Sequence, residues 1–144
     1  MAALAERYVQ AAKTSGYRCT LGYTEFAWAS NKEILARGMA MILADRLQPD
    51  RTLRETALAQ LDFVLGQNPL SKCFVTGIGA DPPRMPHHRF EAAQPRSVPG
   101  MLVGGPNNRA ESGAEPAGKG PYSYIDARSS YSSNEPAIDY NAAL

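Results

Sequence analysis

The chain has 144 residues, of which 44% are hydrophobic and 20% charged, and its formal net charge is +1. This length supports one hydrophobic core. The near-neutral balance, with no basic or acidic run, excludes the electrostatic footprint of a nucleic-acid binder or of a protein held to an anionic membrane surface. No apolar run approaches the roughly 20 residues that cross a bilayer. The start, MAALAERYVQ, is charged too early for a signal peptide and lacks the apolar middle of one, so no signal peptide is expected in this segment. Cys19 and Cys73 lie far apart in no recognisable pair spacing and are read as two buried thiols rather than a bridge.

In chain order, the first predicted element is a helix over Ala2 to Lys13, with Leu4, Tyr8, Val9 and Ala12 on one side. The segment GYTEFAWASN follows and holds the only tryptophan, Trp28. A second helix is predicted after a cap at Ser30 or Asn31. Its apolar positions Ile34, Leu35, Met39, Ile42 and Leu43 recur at helical spacing, and it fades near Leu47, before Pro49. A third, capped by Asp50 or Thr52, carries Leu53, Ala57, Leu58, Leu61, Val64 and Leu65 and stops at Gly66.

From residue 67 to about residue 133 the periodicity is lost. FVTGIG has the composition of a short strand, whereas DPPRMP and GAEPAGKGP are turn chemistry. Phe74, Val75, Ile78, Phe90, Met101, Leu102 and Val103 in this half need something to pack against, which argues for ordered loops laid over the helices. A last short helix is predicted to start near Glu135, with Asn134 as its N-cap and Pro136 in its first turn. Glu135 would then lie at a positive helix end, with Asp139 one turn along the same face.

Three sets of residues have chemical potential. A carboxyl group such as Glu135 serves as a general acid when burial or nearby carboxylates, with Asp126 and Asp139 the local ones, keep it protonated. In RMPHHRF, adjacent histidines point in different directions, so a metal site would need further acids or cysteines, and no such ligand set is evident. His87 and Arg89 are better suited to grip a hydroxyl-rich ligand. Trp28, Tyr122, Tyr124, Tyr131 and Tyr140 supply ring faces and phenol hydroxyls of the kind that bind sugars.

Together these motifs resemble the C-terminal portion of a glycoside hydrolase family 9 catalytic domain, the family of many cellulases and endoglucanases. LDFVLGQNPLSKCFVTGIGADPPRMPHHR (Leu61 to Arg89) is similar to the family's first signature block, and PGMLVGGPN (Pro99 to Asn107) to the loop after it. YIDARSSYSSNEPAIDYNA (Tyr124 to Ala142) is similar to the second signature, and GYTEFAWASN to the segment upstream. Cys73 stands where the family pattern prefers a small hydroxyl or valine, and Asp81 where it prefers a basic or amide residue. The family's upstream DAGD-like motif, which bears the catalytic base, has no counterpart here.

The resemblance implies an all-α fold, part of an (α/α)6 barrel whose long ordered loops line a cleft. It implies inverting hydrolysis of β-1,4-glucosidic bonds in cellulose or related β-glucans without a cofactor. Glu135 would be the general acid, Asp126 would orient the site, and His87 and Arg89 would grip substrate. Tyr140 would contact the sugar beside the cleaved bond, with Tyr131 and Trp28 as further substrate contacts. The partners implied are a β-glucan substrate and the N-terminal remainder of the same domain, which supplies the base. Secretion or a periplasmic location follows by analogy. An exo-acting glucosidase or glucosaminidase of the same family, and a non-catalytic carbohydrate-binding remnant, remain open at this point.

Overall fold

Apolar spacing and loop-closing amides build the scaffold. The computed structural model describes residues 2–93 and 98–144. Three long helices, α1 (Ala2–Lys13), α2 (Ser30–Leu47) and α3 (Arg51–Leu65), are followed by the short turns α4 (Arg89–Ala93) and α5 (Tyr131–Asn134). Two 3-10 turns cover Gly120–Tyr122 and Asn141–Ala143. Among the described residues FVTGIG forms no strand. Val75 makes only an isolated antiparallel bridge to Leu102, and Val103 another to Pro136. The fold is all-α, with long ordered loops.

α3 begins where Asp50 accepts the Thr52 N–H at 2.7 Å, which fixes the cap at Asp50. It ends at Gly66, whose φ of 133° a side chain would oppose. Asn68 then closes the turn, donating to Phe63 and Lys72 carbonyls and accepting from Leu70 and Lys72 N–H groups. α2 differs from the prediction. Ser30 and Asn31 are not caps but buried residues of the first turn, and the residue before them, Ala29, is left-handed with φ 64°. The first turn does without a side-chain cap because loop carbonyls take its donors: Asn31 donates its N–H to Gly104 and its side-chain amide to Val103, both at 3.0 Å.

The core forms two clusters. Ala5, Val9, Met41, Ala44, Leu53 and Ala57 join the three helices. Ile34, Leu35, Phe63, Val64, Phe74, Val75, Leu102, Val103, Tyr124 and Tyr140 lie in the larger cluster, beneath the loops. The thiols of Cys19 and Cys73 are buried and unbridged; burial pushes Cys19 up to about 11. Several periodic apolar positions miss the core. Leu4, Met39, Leu43, Leu58 and Leu65 are exposed, between 39% and 51%. α2 and α3 are apolar on more than one side, and each buries only the side that faces its neighbour in this chain.

Gly105 sets how closely loop and scaffold approach. Its φ is +91°, and a Cβ there would sit 2.4 Å from the Asn31 side-chain carbon. Gly105→Ala is expected to cost about 2–4 kcal/mol, from backbone strain and overpacking together. Chemical denaturation of the variant tests this; unchanged stability would mean that Asn31 can vacate the contact.

Candidate functional site

The last loop differs most from its prediction. No helix starts at Glu135. α5 ends there, and Glu135 is extended, with φ −84° and ψ 129°. Two physical reasons account for this. The residue before a proline is driven out of the helical region, and Glu135 precedes Pro136. Asn134, the predicted cap, is fully buried and engaged elsewhere: its amide nitrogen donates to the Met85 carbonyl at 2.6 Å and to Asp126 at 3.2 Å, and its oxygen accepts from the Tyr124 hydroxyl at 2.6 Å. Helix-dipole stabilisation of Glu135 therefore does not apply. Asp139 does not share a helix face with it either; it pairs at the surface with Lys32.

Backbone pairing fixes Glu135. Its carbonyl accepts the Gly104 N–H at 3.0 Å, and the Ser133 carbonyl accepts the Gly105 N–H at 2.8 Å. The GGPN loop, itself held on the N-terminus of α2, thus holds the chain on both sides of Asn134. The Glu135 side chain is half-buried, and no group among the described residues donates to its carboxylate.

Asp126 shapes the histidine loop. Its two oxygens accept the N–H groups of Arg84 at 2.8 Å and Met85 at 3.0 Å, and the Lys72 ammonium lies 3.3 Å away. Burial pushes this carboxyl up, but the two N–H donors, Lys72 and Asn134 outweigh burial and hold it below the usual carboxylate range. One residue beyond that loop's Pro86, His87 donates its N–H to the Asn134 carbonyl at 2.8 Å. Its Nδ1 lies 2.6 Å from the Arg128 carbonyl, which only accepts, so Nδ1 carries the proton and Nε2 is free.

The His87 ring meets the Tyr131 ring edge-on at 6.0 Å, and Tyr131 meets Trp28 at 5.6 Å. Trp28 Nε1 donates to the Tyr140 hydroxyl at 3.1 Å. Trp28 is 42% and Tyr131 37% exposed, so their rings are open to a ligand, whereas Tyr140 is 8% exposed and belongs to the core. Burial and the carboxylates of Glu135 and Asp139 raise the Tyr140 phenol, against the indole donor, so it stays neutral in ordinary buffers.

The structure thus brings Trp28, His87, Asp126, Tyr131, Glu135 and Tyr140 into one connected frame. Arg89 stands apart, exposed at the start of α4, with no ion pair among the described residues. His88 accepts the Glu91 N–H through Nδ1 at 3.4 Å. Tyr124 is a core residue, edge-on to Phe74 at 5.0 Å. Tyr122 lines a separate cavity of about 600 Å³ with Tyr17, Tyr23 and Phe26. Lys72 and Asn134 escape sequence reasoning as parts of this frame; a lysine directly before the apolar CFV is the one available signal. No group of three metal-ligating side chains occurs among the described residues, and no helix there is long and apolar enough to cross a membrane.

Known proteins place this geometry in context. The family model for glycosyl hydrolase family 9 matches residues 2–144. A xyloglucan-specific endo-beta-1,4-glucanase of Bacteroides ovatus is 35% identical, over 97% of this chain and 25% of its own length. Endoglucanase D of Acetivibrio thermocellus is 33% identical, over 97% of this chain and 21% of its own. The crystal structure of a metagenome-derived family 9 endoglucanase superposes with a TM-score of 0.96 at 48% identity, covering 99% of this chain and 26% of that one. The chain spans only a quarter or less of the length of these two curated relatives.

Proposed function

This chain belongs to glycosyl hydrolase family 9, and on that footing we propose that it is the acid-bearing, C-terminal part of a catalytic domain that hydrolyses β-1,4-glucosidic bonds in cellulose or a related β-glucan with inversion. Its three long helices are part of the family's (α/α)6 barrel. One observation carries the reading: the Gly104 and Gly105 N–H groups hold the backbone at Glu135 and at Ser133 before it, while the Glu135 carboxylate takes no protein donor among the described residues. A group so placed is oriented, yet free to give a proton to a ligand.

In an inverting reaction one carboxylic acid protonates the leaving glycosidic oxygen. An opposed carboxylate, roughly 6.5–9.5 Å away, takes a proton from the water that attacks the anomeric carbon. Glu135 is the acid in this proposal. The base comes from the upstream part of the same domain. Asp126 has its oxygens committed to Arg84, Met85 and Lys72, which suits orienting work rather than water activation. The open rings of Trp28 and Tyr131 would stack on sugar faces, the Tyr140 hydroxyl would support Trp28, and His87 Nε2 and Arg89 would bind sugar hydroxyls. The exposed leucines of α2 and α3 suit helices that continue a barrel wall. A β-glucan polymer is too large to enter a cell intact, which favours a secreted or periplasmic enzyme.

The test follows the anomer released. Proton NMR of a β-1,4-linked glucose oligomer digested by the full-length polypeptide should show the α-anomer first, before mutarotation. Initial β-anomer, or no new reducing ends on any β-1,4-glucan, would defeat the proposal.

A further inference from the structure

A buried carboxylate holds the turn that presents Glu135. Glu115 is 5% exposed. Among the described residues, hydroxyl groups rather than a cation satisfy it. Ser112 and Ser130, the latter at 2.9 Å, donate to one oxygen, and Ser132 donates to the other. Ser130 also lies 2.5 Å from the Ser133 hydroxyl. Burial pushes this carboxyl up, and the serine donors outweigh burial and hold it below the usual range. A carboxylate without a countercharge stays buried and charged only where such donors are fixed.

The same loop grips the turn elsewhere. The Tyr131 hydroxyl donates to the Glu111 carbonyl at 2.7 Å, the Ser112 N–H to Ser132 Oγ at 3.1 Å, and the Asn107 side-chain amide to the Ser132 carbonyl at 3.3 Å. α5 has four residues, too few to hold helical geometry alone. What fixes it comes from outside, and its two ends bear Tyr131 and lead into Glu135.

We propose that Glu115 is a positioning residue: as a carboxylate it locks the serine face of α5 and so sets the direction in which Glu135 presents its carboxyl group to the scissile bond. The inference rests on the reading of Glu135 as the general acid. Replacing Glu115 with glutamine removes one acceptor oxygen and sets an amide N–H₂ against hydroxyls that now donate. At least one serine hydroxyl must then reverse its hydrogen bond or swing away, which loosens the grip on α5 and on the residues it leads into. Displacements of about 1 Å in a reacting group can cost on the order of 10²-fold in rate.

A general acid matters only where the leaving oxygen needs its proton, and this separates positioning from general damage. In the full-length polypeptide, Glu115→Gln should lower turnover on cellotetraose about 10–100-fold with little change in KM. It should scarcely alter turnover on 2,4-dinitrophenyl β-cellobioside, whose leaving group departs unprotonated. Glu135→Gln, measured in parallel, is the reference. If that variant shows no such selectivity, the acid assignment fails. If it does and Glu115→Gln slows both substrates equally, or neither, the positioning role is overturned. Should Glu115→Gln not fold, Ser132→Ala, which keeps the buried carboxylate and removes one donor, decides by the same ratio: a selective loss on cellotetraose supports the role, and an unchanged ratio overturns it.

Discussion

Glu135→Gln is expected to lower turnover on an unactivated β-1,4-linked glucose oligomer by about 10²–10⁴-fold, the contribution typical of a positioned general acid. The substitution keeps side-chain size and leaves the backbone contacts untouched. The Gly104 N–H still meets the residue 135 carbonyl, and the Val103–Pro136 bridge does not involve the side chain. The loss would therefore be chemical, equivalent to about 3–5 kcal/mol of transition-state stabilisation, and KM should move little. Steady-state kinetics on a soluble oligomer, with thermal unfolding as the control for folding, measures it. A variant that folds and turns over like the parent would remove Glu135 from the mechanism.

Much of this site is legible in the sequence, and two of the places where reading fails share a cause. The three scaffold helices follow from apolar spacing and local caps, and Asp50 and Gly66 bound α3 as composition suggests. The motifs point to Trp28, His87, Asp126, Tyr131, Glu135 and Tyr140, and these lie in one frame. What sequence could not show is where each polar group spends its hydrogen bonds. Asn134 has the chemistry of a cap, and Asn31 stands where a cap stands, but distant loops claim both side chains. Asn134 bonds across 49 residues to Met85 and Asn31 across 72 to Val103. Local propensity is decided by neighbours in the chain; these contacts are decided by topology. The helix expected after Asn134 is the exception, because Pro136 was visible and its effect on the preceding residue favoured an extended Glu135. The apolar positions left exposed on α2 and α3 mark the opposite limit: periodicity reports that a face is apolar, not which neighbour covers it.

The second large effect is expected from Asp126→Ala, in stability as well as activity. Asp126 and Lys72 are a partly buried ion pair, with side chains 19% and 10% exposed. Removing one partner of such a pair costs about 3–5 kcal/mol when nothing replaces it. Here Lys72 keeps Asp81 at 3.3 Å and the Pro82 carbonyl, and the freed N–H groups of exposed Arg84 and Met85 can take water. A loss of about 2–3 kcal/mol is therefore the sounder expectation. Its pH dependence has a definite sign. The folded carboxyl titrates below its unfolded value, so its stabilisation is fully present above the unfolded value and is lost as pH falls through the folded one. The difference between parent and variant in denaturation experiments should thus be constant near neutrality and shrink under strongly acidic conditions. A difference that persists unchanged in acid would mean that packing, not charge, makes Asp126 valuable. Activity should fall too, because the loop shaped by Asp126 delivers His87 to Tyr131. Asp126→Asn, which retains one acceptor oxygen for that loop, should recover part of both losses. If it recovered neither, the arrangement would depend on Lys72 finding a full charge, and adding Lys72→Met to Asp126→Asn should then cost less than the two single losses summed.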